Sequence, residues 1–221
     1  ALEAVAGPAM VESFVDFERE ISVIAAKGYG ETATFPVGEN VHEAEILRET
    51  IVPARSSEPV LERAREVGED VLEVMDGRGV YGIELFETPA GEILLNEIAP
   101  RPHNSGHWTI EGAHTSQFEQ HARAVLGWPL GSTVLRAPTA STNLLADVDT
   151  TTPARLANVE RLLEEPTASL HWYGKREARP LRKMGHVTVT GGETEQPEAI
   201  LERARRLREA VTFRETDQES N

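Results

Sequence analysis

The stretch Ile93-Leu94-Leu95-Asn96-Glu97-Ile98-Ala99-Pro100-Arg101-Pro102-His103-Asn104-Ser105-Gly106-His107-Trp108 begins as an apolar run. It passes into a loop carrying a guanidinium, two imidazoles and small polar side chains. Prolines on either side of Arg101 restrict the backbone there. The pattern is a strand ending in a rigid polar loop, and a loop this dense in groups that bind metal, anions and planar substrates reads as a functional site. Upstream, Gly79 to Glu87 reads as a strand, Thr88-Pro89-Ala90-Gly91 as a turn and Glu92 to Ile98 as the returning strand. With that turn, Glu87 faces Glu92, Glu84 faces Leu95 and Gly82 faces Glu97. Glu84 and Glu97 then share one face as diagonal neighbours, about 7–8 Å apart. A change of one residue in register would send Glu97 to the opposite face. Glu87 and Glu92 fall at the turn, where water is the expected partner. Two carboxylates converging beside Asn96 are hard oxygen ligands, suited to Mg²⁺ whose shell is completed by phosphates and water. The plainer alternative makes Glu84 only the solvent-facing residue of a half-buried strand.

A chain of 221 residues can bury a sizeable core, as one large domain or two smaller ones. It has no cysteine, so disulfides and thiolate chemistry are excluded. No apolar run approaches the length of a spanning helix and no signal-peptide pattern opens the sequence, so the expectation is a soluble cytoplasmic protein without a membrane partner. Lys+Arg 22 against Asp+Glu 37 gives a net charge of −15, which argues against a nucleic-acid binder, since such proteins use basic surface to neutralise phosphates.

Residues 1–9 read as a helix end stopped by Gly7-Pro8, and Ala9 to Val15, Glu20 to Ala26 and Thr32 to Val37 as strands. His42 falls on a loop. Arg48 to Pro53 is strand-like, and Pro59 to Met75 is an amphipathic helix with Leu61, Ala64, Val67, Val71 and Leu72 inward. Thr115 to Leu126 is a second helix, stopped at Gly127, on which His121 reads as a packed histidine. Ala137 to Leu145 reads as a strand, Thr152 to Leu163 as a helix capped by Thr151 or Thr152, and Pro197 to Val211 as the last helix. Between strands at Ser169–Tyr173 and His186–Thr190 lies a basic island, Lys175 to His186. On an acidic chain it suits a phosphate monoester, with Arg supplying a planar fork and Lys a point charge. The composition shift near Pro129 to Pro138 divides the chain into 1–130 and 131–213, followed by a polar tail, 214–221, expected to be disordered.

The string Asn96 to Trp108, with Ser13-Phe14-Val15-Asp16-Phe17-Glu18-Arg19-Glu20 and His171-Trp172-Tyr173-Gly174-Lys175, resembles the carboxyaminoimidazole ribonucleotide synthetase family of the ATP-grasp superfamily. The resemblance runs over nearly all of residues 10–213. A sister family, the formate-dependent glycinamide ribonucleotide transformylases, has a similar Glu-x-x-Pro-Arg-Pro-His stretch. The continuation Asn104 to Trp108 and the His171-Trp172-Tyr173 motif favour the synthetase. The resemblance implies an α+β fold: the carboxy-terminal subdomain of an ATP-grasp domain, mostly antiparallel sheet with flanking helices, and a small sheet-and-helix unit after it. It implies ATP and Mg²⁺ as cofactors, with aminoimidazole ribonucleotide and bicarbonate as substrates. Glu12, Ser13, Phe14 and Val15 would line the adenine pocket and Glu20 would hold the ribose. His42, Asn96 and Glu97 would be further ATP contacts, and Glu84 and Glu97 would hold the metal. Arg101 and His103 would be catalytic, contacting substrate with Asn104 and Ser105, while Lys175 and Arg182 would hold the ribonucleotide phosphate and Arg179 and Lys183 would be accessory. Family members commonly form homodimers. A full synthetase carries about another half of sequence before residue 1, including the lid over ATP. A non-catalytic nucleotide-binding domain is the reading from a different class.

Overall fold

The computed structural model describes residues 10–213. The helix end expected over 1–9 and the disordered tail expected over 214–221 lie outside the described residues. The chain runs through β1 (Arg19–Lys27), β2 (Thr32–Thr34), β3 (Gly38–Glu43), β4 (Ile46–Val52), α1 (Glu58–Val74), β5 (Gly79–Glu87) and β6 (Ile93–Ala99). The polar loop follows, with α2 (Thr109–Gly112) and α3 (Gln117–Leu126). After these come β7 (Thr139–Leu145), β8 (Thr152–Pro153), β9 (Leu156–Ala157), α4 (Val159–Leu163), β10 (Ala168–Trp172), β11 (Glu177–Ala178), β12 (Lys183–Thr190), α5 (Pro197–Ala210) and β13 (Thr212–Phe213).

Nine strands form one sheet in the order β10-β12-β7-β4-β3-β1-β5-β6, with β2 paired to β1 off this path. The named pairs are all antiparallel. The α+β expectation therefore holds. Both halves of the sequence contribute to the same sheet, because β7 adds to β4 through Thr50↔Ser141 and Ile51↔Ala140.

Alternation along the strands separates two faces. On one, Ile21, Val23 and Ala25 of β1 and Tyr81, Ile83 and Leu85 of β5 pack against Leu61, Ala64, Val71 and Leu72 of α1. Farther along the same face, Ile51, Ala140, Leu144, Val187 and Val189 pack against Ile200, Leu201 and Ala204 of α5. Pairing of Ile21 with Glu39 and of Glu39 with Ile51 puts both helices on one side. The other face carries Ile24, Ala26, Phe35, Val52 and Val80 beneath Trp108 of the polar loop and Ala113 at the end of α2. Trp108 is 1% exposed and meets Phe35 edge to face at 6.2 Å. It anchors the loop to the sheet.

Some expected elements differ. Residues 10–15 are not a strand: they form no ladder, and β1 already has β3 and β2 on one side and β5 on the other. Gly38 to Glu43 is a strand that its polar composition concealed, and His42 therefore sits on β3 rather than on a loop. Only Val159–Leu163 of the helix expected over Thr152 to Leu163 is helical. Thr152 and Pro153 instead pair with Ala178 and Glu177, and Asn158, left-handed at φ 60°, starts the short α4. Glu87 is not left to water: it is 6% exposed, with Arg19 Nη1 at 3.1 Å and the Ser56 hydroxyl at 2.8 Å.

Candidate active site

The β5–β6 hairpin pairs Glu87 with Ile93, Phe86 with Leu94 and Leu85 with Leu95, one residue out from the expected register. Continued regularly, that register would set Asn96 opposite Glu84 and turn Glu97 to the α1 face. A β-bulge between Glu84 and Leu85 restores the pairing, so Glu84 lies directly opposite Glu97, with Gly82 opposite Ala99. Bulges commonly re-aim a side chain in this way beside functional sites. The two carboxylates thus meet on one face as direct rather than diagonal neighbours. Burial raises the Glu84 carboxyl above its ordinary range; nearby His42 lowers it, and Glu97 and Glu20 raise it further. A half-buried acid with acidic neighbours favours a cation between them. Among the described residues no group of three or more acidic, His or Cys side chains is arranged as a metal cage. A carboxylate pair without a cage fits Mg²⁺, whose remaining ligands come from phosphate and water.

The neighbouring strands complete the row. Glu20 pairs with Phe86 and with Asn40, and the Glu20 carboxylate contacts His42 Nδ1. Glu12, Ser13, Phe14 and Val15 lie before β1, outside this cluster of contacts, and Phe14 is 91% exposed.

His103 reaches the carboxylates, its Nδ1 lying 3.7 Å from Glu84 Oε1. Gly82 permits this approach, since a Cβ there would collide with that of His103. The Ser105 hydroxyl lies 2.9 Å from His103 Nδ1 and the Ser105 N–H donates to the same atom at 3.4 Å. That arrangement makes Nδ1 an acceptor and assigns the ring proton to Nε2. Burial, then the Arg101 and Lys183 charges, push the imidazole down to about 4, so it is neutral near pH 7. A neutral imidazole here is a hydrogen-bond donor through Nε2 and only a weak base. Asn104 lies one residue on, its Nδ2 buried without a partner among the described residues. Arg101 is exposed, its guanidinium resting on the Pro102 carbonyl at 3.2 Å.

The basic island comes to this cleft chiefly through Lys183. Burial depresses the Lys183 ammonium, Glu84 raises it, and Lys175 and Arg101 depress it, so it feels both groups of charges. Sequence reasoning gave Lys183 only an accessory place; a register shift between Lys183 and Gly185, which sequence did not reveal, puts it on the same face of β12 as His186. Lys175 bonds to the Lys183 carbonyl, and burial, then Arg182 and Arg179, lower its ammonium. Arg182 donates to the Glu177 carbonyl at 2.9 Å.

Between the polar loop and the island lies a joint that sequence reasoning missed. His171 Nε2 is 2.7 Å from Glu111 Oε1, and its ring stacks on His186 with centroids 4.4 Å apart. His186 Nδ1 is 2.9 Å from the Tyr173 hydroxyl, and its ring meets that of His107 at 4.6 Å. Burial, with His107 and His171 near, pushes His186 down to about 2. The His171-Trp172-Tyr173 motif was the available signal, but the pairing of His171 with His186 across β10 and β12 needs the register. His121 is a packed histidine as expected, its Nδ1 accepting the Val80 N–H at 3.1 Å.

The ATP-grasp domain model matches residues 1–118 and the phosphoribosylaminoimidazole carboxylase C-terminal domain model matches residues 139–200. An N5-carboxyaminoimidazole ribonucleotide synthase of Brucella melitensis is 48% identical over 182 residues, covering 82% of this chain and 48% of that protein. The crystal structure of N5-carboxyaminoimidazole ribonucleotide synthetase from Thermotoga maritima superposes with a TM-score of 0.86 at 44% identity, covering 96% of this chain and 57% of that one. The Aspergillus clavatus N5-carboxyaminoimidazole synthase in complex with ADP and 5-aminoimidazole ribonucleotide has a TM-score of 0.79 at 35% identity, covering 89% and 52%. The chain spans about half the length of the curated synthases it matches. A bulged carboxylate pair on an antiparallel sheet, a proline-bounded Arg-His loop and the two matched domain models together place the chain in the ATP-grasp family, on its N5-carboxyaminoimidazole ribonucleotide synthetase branch.

Proposed function

We propose that this chain is the carboxy-terminal portion of an enzyme of de novo purine biosynthesis that couples ATP cleavage to the joining of bicarbonate to the amino group of aminoimidazole ribonucleotide. The observation that carries the reading is the approach of Glu84, Glu97 and His103 to one another, with the Arg101 and Lys183 charges felt at His103 and with Lys175 and Arg182 beside Lys183. Bicarbonate is a poor electrophile, and phosphorylation to carboxyphosphate supplies the leaving group. Phosphoryl transfer asks the protein mainly for positioning and charge neutralisation. Arg101 stabilises the bicarbonate or carboxyphosphate anion, and His103 donates from Nε2 towards it. Asn104 and Ser105 orient the substrate, while Lys175 and Arg182 hold the ribonucleotide phosphate. Glu20, His42, Asn96 and Glu97 serve ATP, with Glu12, Ser13, Phe14 and Val15 towards the adenine. Glu84 and Glu97 would hold Mg²⁺, which supplies charge neutralisation to the phosphates when bound.

In the same reading residues 1–130 belong to the ATP-grasp domain and 131–213 to a small carboxy-terminal unit. The gap between the two matched models, 118 to 139, supports that boundary. The cytoplasm is the compartment, a homodimer the assembly, and sedimentation of the purified enzyme at micromolar concentration tests the latter. The main experiment offers an enzyme containing this segment, with its amino-terminal half, bicarbonate or formate. ADP release with bicarbonate and aminoimidazole ribonucleotide is expected, whereas release with formate and glycinamide ribonucleotide would assign the transformylase reaction instead. The 221-residue chain alone is expected to release negligible ADP.

A further inference from the structure

Behind the part of the loop that bears Arg101 and His103 sits a buried carboxamide. Gln117, the first residue of α3, is fully buried. Its Oε1 accepts the His103 N–H at 2.9 Å and its Nε2 donates to the His103 carbonyl at 2.7 Å. A single carboxamide thus takes both backbone polar groups of one residue, holding His103 at φ −119° and ψ 155°. His107 Nδ1 donates to the same carbonyl at 3.0 Å. The fork is itself fixed: the Gln117 N–H donates to Thr109 Oγ1 at 2.9 Å, whose hydroxyl donates to the Gly106 carbonyl at 2.6 Å. Gly106 leaves the room required, because a Cβ there would lie 2.5 Å from Gln117 Oε1.

We propose that Gln117 is a positioning residue, whose buried carboxamide holds the Arg101–His103 segment against the Glu84 edge of the cleft. It touches no reacting atom and acts through the His103 backbone. A helix is a stiffer support than a loop, and a carboxamide offers a donor and an acceptor in fixed relation without adding charge. The loop's own bonds, from Ser105 to His103 and from His107 to the His103 carbonyl, define its internal shape. Gln117 ties that shape to the body of the protein. The catalytic consequence rests on the reading above, while the positioning itself does not.

The molecule contains its own control. Gln120, one turn on and also fully buried, makes the same fork on Gly131, donating to its carbonyl at 2.9 Å and accepting its N–H at 2.7 Å. Isotope-labelled wild type, Gln117→Met and Gln120→Met are compared by nuclear magnetic resonance at one pH, with thermal melts alongside. Gln117→Met is expected to speed exchange of the His103 amide at least tenfold and to move the His103 ring and Arg101 guanidinium signals. Gln120→Met is expected to speed Gly131 exchange while leaving those side-chain signals in place, with a comparable fall in melting temperature. Should Gln117→Met not fold, Gln117→Asn, which keeps an uncharged carboxamide but is one methylene too short to reach both His103 backbone groups, is expected to move the same signals. Unmoved His103 and Arg101 signals in the Gln117 variants, or equal movement in Gln120→Met, would overturn the proposal. These signals are read without turnover, so an enzyme without bicarbonate-dependent ADP release would count against the functional reading alone.

Discussion

Glu84 is the residue on which the cleft turns. It faces Glu97 across the hairpin, lies within 3.7 Å of His103 and is close enough to Lys183 for each charge to shift the other. Glu84→Gln keeps the shape and removes one of the two carboxylates. Magnesium-dependent ADP binding by the enzyme is expected to weaken at least tenfold, about 1.4 kcal/mol, with metal-free binding unchanged, as calorimetry with and without chelator would read. Equal losses with and without metal would remove Glu84 from the metal site. The residue types here were legible in the sequence: the carboxylates, Arg101 and His103 stand out by chemistry alone. The state of His103 was not, because its depression to about 4 comes first from burial and then from charges, Arg101 and Lys183 foremost, one of them on a distant strand.

The elements position these residues through close approach and ion pairing. His103 lies against Gly82 of β5, so Gly82→Ala forces the loop away from the strand or the strand out of line. Overpacking of this kind costs about 1–3 kcal/mol. Urea unfolding should show that loss, and a stability equal to wild type would mean that the loop yields freely. On the opposite face α5 is tied to β4 by Arg205, whose Nε and Nη2 reach Glu49 at 2.6–3.1 Å. Glu49 is 6% exposed, so Arg205→Met would leave a buried carboxylate without its partner. The expected cost is about 3 kcal/mol, and the double variant Arg205→Met, Glu49→Met should recover much of it. The helices α1, α3 and α5 were legible from apolar spacing and termination residues. The strand β3 was not, since Gly38-Glu39-Asn40-Val41-His42-Glu43 reads as polar when its faces meet an ion pair on one side and a polar cleft on the other.

Across the whole molecule, one sheet carries the carboxylates towards one edge and the basic island towards the other. The histidine joint of Glu111, His171, His186, Tyr173 and His107 lies between the loop and the island. Folding keeps His186 and His107 neutral: burial comes first for both, and neighbouring histidines lower His186 further, down to about 2. In the unfolded chain such groups take up protons near pH 6.5. Their contribution is therefore fully present above about pH 6.5 and is lost as pH falls below it, at up to about 1.4 kcal/mol per pH unit for each histidine. The raised Glu84 carboxyl acts in the opposite sense above pH 4.5 and offsets part of the loss. Urea midpoints from pH 7 to pH 5 should fall, and His186→Phe should flatten that fall; a flat wild-type profile would contradict the neutral histidines. The linear order of side chains alone determined that this chain has a hairpin running into a proline-bounded Arg-His loop, three amphipathic helices and a separate cationic segment, because periodicity, turn chemistry and charge are local properties. Tertiary structure alone decided that Glu84 faces Glu97, that the Lys183 charge acts on Glu84 and that Gln117 holds His103. Each depends on a bulge, a strand register or a buried contact between segments far apart in the chain, and a shift of one residue in a strand reverses which face a side chain occupies.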